Sequence, residues 1–301
     1  MKRFHIFCNL NSIISPFPVT EHLLCSFAAY LADQGLAPQT VKGYLAAVRN
    51  AQLSLGLPDP REKSSLPILK RVLTGIQRVR AKSGASSRPR LPITAVVLDQ
   101  IRLQLQRSSH PHKSLIWAVC CTAFFGFFRL GELLPESRAQ ISAAATLMWG
   151  DVAVDSRQCP NMIKVHLKRS KCDQLGVGAD IVLGRTGLPL CPVVAVVEYI
   201  KMRGATAGSF FRLSASQPAL KSWFVEQLRG ILEAAGLPQH LYAGHSFRIG
   251  AATTAALKGV EDSTIQTLGR WHSAAFLQYV RMPSERLAEL STVLARNVPS
   301  N

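Results

Sequence analysis

Phe124-Phe125-Gly126-Phe127-Phe128-Arg129-Leu130-Gly131-Glu132-Leu133 closes the most apolar run of the chain, which begins at Leu115. The run up to Phe128 covers about 14 residues, short of the ~20 that a membrane-spanning helix needs, and so reads as a helix buried in a protein core. A guanidinium at the end of such a run is costly to bury unless an acid pairs with it or it lines a cleft. Glu132 supplies the structural reading, an internal salt bridge to Arg129. The functional reading places Arg129 at a cleft wall where an anionic substrate arrives.

Two later stretches carry side chains that such an anion needs. Gly244-His245-Ser246-Phe247-Arg248 sets an imidazole and a guanidinium three residues apart. On the first turn of a helix that spacing aims both at one spot, beside backbone N–H groups that favour anions. In the structural reading Arg248 pairs with Glu132 or another acid, and His245 caps the helix. Leu268-Gly269-Arg270-Trp271-His272-Ser273-Ala274-Ala275-Phe276-Leu277-Gln278-Tyr279 follows. A tyrosine on a helix is by default a core or interface residue, and a nucleophile only in suitable company. Lys171, in Lys168-Arg169-Ser170-Lys171-Cys172-Asp173, falls in a polar hairpin tip, where a lysine is ordinarily solvated but can swing into a site.

The chain has 301 residues, 48% of them hydrophobic, with 35 Lys and Arg against 18 Asp and Glu and a formal net charge of +17. Length and apolar content support two domains with real cores and exclude a disordered tail. The positive excess favours a polyanionic partner, nucleic acid first. An anionic membrane surface fits less well, because no segment sets a bulky apolar stripe opposite a Lys/Arg face. Cys8, Cys25, Cys120, Cys121, Cys159, Cys172 and Cys191 include no CxxC pair and read as thiols of a reducing, intracellular compartment without a zinc site. Asn9, Asn11 and Ser12 interrupt the mildly apolar start, so no secretory leader is expected.

Apolar residues recur at helical spacing through Leu23, Leu24, Phe27, Ala28 and Leu31, and again through Val41, Tyr44, Leu45 and Val48. They predict two helices, the first capped by Thr20 and the second with Thr40 in its first turn, joined through Gly35-Leu36-Ala37-Pro38. A third is predicted over 67–82, with Ile68, Val72, Leu73, Ile76 and Val79 on one side and basic residues on the other. Lys42, Lys70, Arg71, Arg78, Arg80, Lys82, Arg88 and Arg90 are the candidate DNA-phosphate contacts; the alternative is a solvated charged face.

Residues 1–18 read as an N-terminal extension, 19–82 as a helical DNA-binding domain, 83–94 as a linker and 95–301 as a second domain. The Ser-, Gly-, Pro- and Arg-rich stretch from Ala81 to Thr94, about 14 residues, reaches ~46 Å when extended, enough to pass around a double helix, so two lobes so joined could clasp DNA from opposite sides. In the second domain, helices are predicted at 95–106, through the apolar run to about 134, and at 193–202, 219–235, 246–257, 263–268, 274–281 and 284–296. Short runs at 145–154, 162–167 and 179–183 predict a small antiparallel sheet, with 168–178 as a hairpin tip. The expected fold class is mainly α with a small antiparallel β-sheet.

Cleaving a phosphodiester without a metal needs cations around phosphorus, a nucleophile and a proton donor for the leaving oxygen. The sequence lacks the paired carboxylates that hold a metal in a nuclease and offers Arg, Lys, His and Tyr. In order, Arg129 with Glu132-Leu133, a strand, Lys171 in a hairpin, His245-x-x-Arg248, Leu268-Gly269-x-Trp271 and Tyr279 resemble the catalytic domain of the tyrosine recombinase, or lambda-type integrase, family. The front lobe resembles that family's helical, SAM-like core-binding domain in Phe27-Ala28-Ala29-Tyr30-Leu31 and Gln39-Thr40-Val41-Lys42-Gly43-Tyr44-Leu45. In finer wording, Ser170-Lys171-Cys172-Asp173-Gln174 and Gly269-Arg270-Trp271 are most similar to recombinases of eukaryotic DIRS and Ngaro-like retroelements.

The resemblance implies that Tyr279 attacks a backbone phosphate to give a 3′-phosphotyrosyl enzyme and a free 5′-hydroxyl, and that a partner strand's 5′-hydroxyl reverses the step, with no metal, ATP or other cofactor. It implies Arg129 and Arg248 as bidentate clamps, Lys171 as general acid, and His245 as an aid to proton movement and phosphate binding. Where the family has His or Trp nine residues before the nucleophile, this chain has Arg270, with Trp271 and His272 one and two positions nearer. Trp271 is the preferred occupant, packing on the tyrosine helix and donating its indole N–H to the phosphate. The implied partners are double-stranded DNA and further copies of the chain, as a homotetramer on two duplexes, with the last helix docking on a neighbour or on its own domain. No membrane is implied, and the compartment is the nucleus of a eukaryotic host or otherwise the cytoplasm. The alternatives are a catalytically silent, element-derived DNA-binding protein and a type IB topoisomerase-like relaxing enzyme.

Overall fold

Capping and apolar spacing shape the front of the chain. The computed structural model describes residues 1–62, 65–83, 90–169, 176–281 and 288, and the chain divides into two units, Met1–Arg88 and Pro89–Asn301. The first unit holds α1 (Lys2–Leu10), α2 (Glu21–Asp33), α3 (Pro38–Ser54) and α4 (Pro67–Lys82). Thr20 caps α2 by accepting a hydrogen bond from the Leu23 N–H at 3.2 Å. Phe27, Leu31 and Val41 are fully buried, and residues of that size contribute about 1.5–3 kcal/mol each on burial. Two polar anchors fasten the bundle: buried Gln52 accepts from the Val19 N–H at 2.7 Å, and Glu21 accepts from the Leu69 N–H at 3.0 Å.

Two details differ from expectation. Within the stretch 1–18, Lys2–Leu10 is a helix whose Phe4 and Phe7 enter the core against Phe27, with ring centroids 5.0 and 5.2 Å away. The apolar stripe of α4 is also shifted by one residue. Leu69 is buried with Val72, Leu73 and Ile76 packed around it, at positions i, i+3, i+4 and i+7, while Ile68 and Val79 at the edges are exposed. Arg71, Arg78 and Lys82 share the outward face, and Lys42 and Lys70 are exposed too. Arg80 donates to the Gly35 carbonyl at 2.9 Å. Arg88, like Lys63, lies outside the described residues.

The second unit is built round α6 (Lys113–Phe125), which is apolar on every side and therefore central. Against it pack α5 (Ala95–Arg107), α8 (Pro192–Arg203), α9 (Lys221–Ala234) and α10 (Ser246–Leu257). The short α7 (Leu130–Leu133) follows α6, and α11 (Asp262–Leu268) precedes the C-terminal part of the described chain. A three-stranded antiparallel sheet, order β1 (Val152–Val154), β2 (Met162–Leu167), β3 (Ala179–Gly184), buries Ile163, Val165 and Leu167 in alternation. Register pairs Met162 with Gly184 and Leu167 with Ala179.

The expected strand at 145–154 contracts to three residues. Asp151 accepts from the Met148 N–H at 2.7 Å, folding Trp149–Asp151 into a 3-10 turn instead. A two-stranded ribbon, β4 (Arg212–Ser214) and β5 (Gln217–Pro218), was too short to show as periodicity. The expected helix at 274–281 is a 3-10 turn, Ala274–Gln278. Most of the hairpin tip and the expected helix at 284–296, apart from Ala288, lie outside the described residues.

Gly250 lets α10 meet the chain at Ile93, whose N–H donates to the Ser246 carbonyl at 2.9 Å. A Cβ at Gly250 would lie 1.7 Å from the Ile93 carbonyl oxygen, backbone that cannot step aside. Gly230, exposed in α9, would meet nothing within 4 Å. Gly250→Ala is therefore expected to destabilise the protein by about 3 kcal/mol or more in chemical denaturation. Gly230→Ala should instead leave it equal or about 0.5–1 kcal/mol more stable.

Candidate active site

The last carbonyls of a helix have no intrahelical partner and form the negative end of its dipole, so cations gather there. At the end of α6, Phe127 adopts a left-handed conformation (φ +52°) and the Phe128 N–H returns to the Ala123 carbonyl at 2.9 Å. Glycine is required just before it, since a Cβ on Gly126 would fall 2.3 Å from the Phe128 ring. The reversal leaves the Gly126 and Phe127 carbonyls facing outward and places Arg129 at the start of α7. Glu132 then folds back, its carboxylate accepting from the Arg129 N–H at 2.9 Å and from Arg129 Nη1 at 2.7 Å.

Arg248, on the first turn of α10, fills the space beneath. Its side chain is completely buried; Nη1 donates to the Phe127 carbonyl at 3.2 Å and Nη2 to the Gly269 carbonyl. Its Nη1 also lies 3.9 Å from Glu132 Oε2. Burial, and then repulsion from the Arg129 guanidinium, bring the Arg248 pKa down to about 10, so it keeps its charge at neutral pH. Its buried Nε has no hydrogen-bond partner among the described residues. His245 precedes α10 with an edge open to solvent. Partial desolvation of its ring, followed by the charges of Arg129, Arg248 and Lys221, holds the imidazole below its usual pKa.

The segment after α11 closes the site. The Trp271 indole folds so tightly over Gly269 that a Cβ there would lie 1.6 Å from the ring. Its ring covers the Arg248 guanidinium at 4.4 Å, and the Tyr279 ring lies 5.0 Å from Trp271 and 5.9 Å from Arg248 Cζ. Tyr279 thus sits at the end of the 3-10 turn, half-buried, directly beside the guanidinium. Arg270 is left-handed (φ +56°) and reaches back to the α6 terminus: Nη1 donates to the Gly126 carbonyl at 2.9 Å, and Nη2 to the Phe127 carbonyl at 3.2 Å and Glu132 Oε2 at 3.4 Å.

Three guanidiniums therefore share one carboxylate. That leaves an excess of positive charge beside a tyrosine and an imidazole, the electrostatics of a site for a phosphate ester. Of the expected site residues, the fold brings Arg129, His245, Arg248, Trp271 and Tyr279 together. The salt-bridge reading of Arg129 and the pairing of Arg248 with Glu132 are both true of the geometry, and neither removes the site. His272 is exposed beside it, and Lys171 lies outside the described residues. Trp271 packs on Tyr279 as expected, but its expected role as donor needs correction, because its indole Nε1 is buried and has no hydrogen-bond partner among the described residues. Arg90 is bonded within the second unit, to the His240 carbonyl at 2.7 Å. Lys221, the first residue of α9, went unnoticed in the sequence; it pairs with Glu136 and packs near Gly244, and no motif marks it.

No family model matches the chain. Over 277 residues it is 23% identical to an integrase/recombinase XerD homolog of Selenomonas ruminantium, covering 90% of this chain and 75% of that protein. It is also 23% identical to recombinase Cre of Escherichia phage P1 over 296 residues, covering 91% and 79%. Among solved structures, the XerH site-specific recombinase in a post-cleavage complex with a palindromic difH substrate has the same fold, with a TM-score of 0.62 at 14% identity over 97% of this chain and 77% of the other. The Tn1549 transposon integrase in complex with circular intermediate DNA follows at 0.53 and 15%, over 91% and 85%. Among the described residues no helix is long and apolar enough to cross a membrane.

Glu132→Gln keeps the shape of the hub and removes the carboxylate at its centre. Breaking a buried pair in this way is expected to cost about 3–5 kcal/mol, read as a lower melting temperature. A base whose pKa is lowered on folding makes the unfolded chain bind more protons just below the ordinary histidine value of about 6.5, so stability is full above that pH and declines as pH falls through the window beneath it. Denaturation at stepped pH should show that decline in the wild type and a shallower one in His245→Gln.

Proposed function

We propose that the chain is a member of the tyrosine recombinase family, a site-specific DNA strand transferase whose nucleophile is Tyr279. The observation that carries the proposal is the Tyr279 ring 5.9 Å from a guanidinium that shares Glu132 with two others. The Tyr279 hydroxyl gives up its proton as its oxygen bonds to phosphorus; the P–O5′ bond breaks, and the leaving 5′-oxygen takes up a proton. One phosphoester replaces another, so a 5′-hydroxyl can reverse the step on a new strand. Arg129 binds a non-bridging oxygen through its planar fork, which lysine cannot copy. His245, neutral but adjoining the cations, accepts or relays a proton, and Lys171 is proposed as general acid on the strength of the family resemblance.

Arg248 is covered by Trp271 and Tyr279 as the site stands. It serves first to hold the Phe127 and Gly269 carbonyls, and reaches a phosphate once the tyrosine segment lifts toward the substrate. The exposed basic face of α4 supplies non-specific contacts to duplex phosphates. Joining two duplexes requires several protomers, proposed as a homotetramer, and a eukaryotic host would require entry to the nucleus. Origin in a DIRS or Ngaro-like element is part of the proposal and is supported by the wording Gly269-Arg270-Trp271.

The test is a nicked suicide substrate of verified sequence, in magnesium-free EDTA buffer. A denaturant-resistant protein–DNA adduct is expected, absent in Tyr279→Phe and slowed about 10²–10³-fold in Arg129→Ala. Binding without adduct would instead indicate a silent DNA-binding protein, and relaxation of supercoils without strand exchange a topoisomerase. Replacing Arg71, Arg78 and Lys82 by Ala is expected to lower the slope of log affinity against log salt by up to about 0.9 for each phosphate no longer neutralised, about 2–3 in all.

A further inference from the structure

The strand-transferase reading has the tyrosine segment lift away from Arg248 and leaves open what holds it down beforehand. We propose that Thr253 is a positioning residue, a buried latch whose hydroxyl keeps Tyr279 over the Arg248 guanidinium until substrate draws the segment away. The inference rests on the strand-transferase reading and deepens it by naming the group that regulates access to the same site.

Thr253 lies beyond Arg248 on α10 and is 1% exposed. Its Oγ1 donates to the Tyr279 carbonyl at 3.3 Å and accepts from the Arg281 N–H at 3.0 Å. A hydroxyl has one proton and two lone pairs, so it fills both roles at once. A threonine inside a helix commonly turns its hydroxyl back to a carbonyl of the preceding turn, where it ties nothing else. Here both bonds cross to the segment that carries the proposed nucleophile. Its neighbour Thr254 has a structural task instead, accepting from the Ala95 N–H at 3.3 Å and so fastening α10 to the start of α5.

The stretch 273–281 has little else to fix its position. Ser273 accepts from the Ala275 N–H, the Tyr279 N–H returns to the Phe276 carbonyl, and the Arg281 guanidinium donates to the Gln278 and Val280 carbonyls, all within the stretch. Among the described residues, only the Thr253 hydroxyl joins this stretch to the rest of the unit by hydrogen bonds. The remaining attachment is apolar, through buried Phe276 and the Tyr279 ring against Trp271. Apolar contact is non-directional, whereas hydrogen bonds to one fixed oxygen specify a place. A contact made while Tyr279 covers Arg248 and given up on lifting stabilises the covered state alone. It therefore lowers the fraction of molecules in which Arg248 is open, and the observed cleavage rate falls with that fraction.

Thr253→Val has nearly the same shape and lacks the hydroxyl, and Thr253→Ser keeps it. Hydrogen exchange of the free protein, read by mass spectrometry, reports the tie without DNA. Single-turnover cleavage of the suicide substrate at saturating protein reports its consequence, with melting temperature followed alongside. Loss of the net worth of a hydrogen bond or two makes peptides covering 273–281 exchange about three- to tenfold faster in Thr253→Val, and adduct formation speeds up by a similar factor. Thr253→Ser restores both to the wild-type values. A merely structural threonine behaves differently: its loss lowers the melting temperature and slows cleavage or leaves it alone.

Unchanged exchange over 273–281 in Thr253→Val, or cleavage no faster than wild type, overturns the proposal. Should Thr253→Val not fold, Thr253→Ala, which removes the hydroxyl and leaves room at the site, is judged by the same two readouts. A wild-type enzyme that forms no adduct, or an adduct surviving Tyr279→Phe, instead brings down the strand-transferase reading and this role with it, whatever the exchange shows.

Discussion

A single carboxylate, that of Glu132, holds three guanidiniums at the carbonyl end of a buried helix. Arg129, Arg248 and Arg270 come from places far apart in the chain and would repel one another without it. The outward carbonyls of Gly126 and Phe127 supply the rest of the compensation, as helix ends do for cations. Several unusual features follow from this arrangement. Phe127 and Arg270 both adopt left-handed backbone so that their neighbours can converge, and the Trp271 indole lies flat on Gly269, where only glycine leaves room.

The same arrangement sets the order of events. With one negative charge for three positive, the hub keeps an appetite for an anion while remaining stable on its own. Arg248 lies at the bottom, under Trp271 and Tyr279, so the proposed nucleophile covers a cation of the same cluster. In the proposed mechanism substrate lifts the tyrosine segment, and the short 3-10 turn that ends at Tyr279 would give up few hydrogen bonds in doing so. A net charge of +17 favours a polyanionic partner at long range, and on the proposed reading the choice of bond is left to the buried geometry.

The sequence was informative wherever a local rule was strong. Thr20 marked its cap, Pro67 the start of α4, and the alternation of Ile163, Val165 and Leu167 a half-buried strand. The all-apolar α6 announced the centre of the second unit, and the spacing of His245 and Arg248 announced its site. What escaped was set by tertiary contact. Asp151 turned an apolar run into a 3-10 turn, and α4 rotated slightly to bury Leu69 in place of Ile68. Trp271 looked like the donor because an indole can donate, but only the packing of Gly269 shows that its N–H faces inward. Glu132 was visible as a partner of one arginine; that it serves three at once cannot be read from spacing.

The most direct test is to find the atom that becomes bonded to DNA. Trypsin cleaves after Arg270 and Arg281, releasing Trp271–Arg281 with Tyr279 as its sole tyrosine. Mass spectrometry of a trapped, nuclease-trimmed adduct should find the nucleotide on that peptide, joined through its 3′-phosphate to the Tyr279 oxygen. A nucleotide on any other peptide, such as the one containing Tyr242, would contradict the account, because among the described residues no other tyrosine is placed against the guanidiniums that Glu132 gathers.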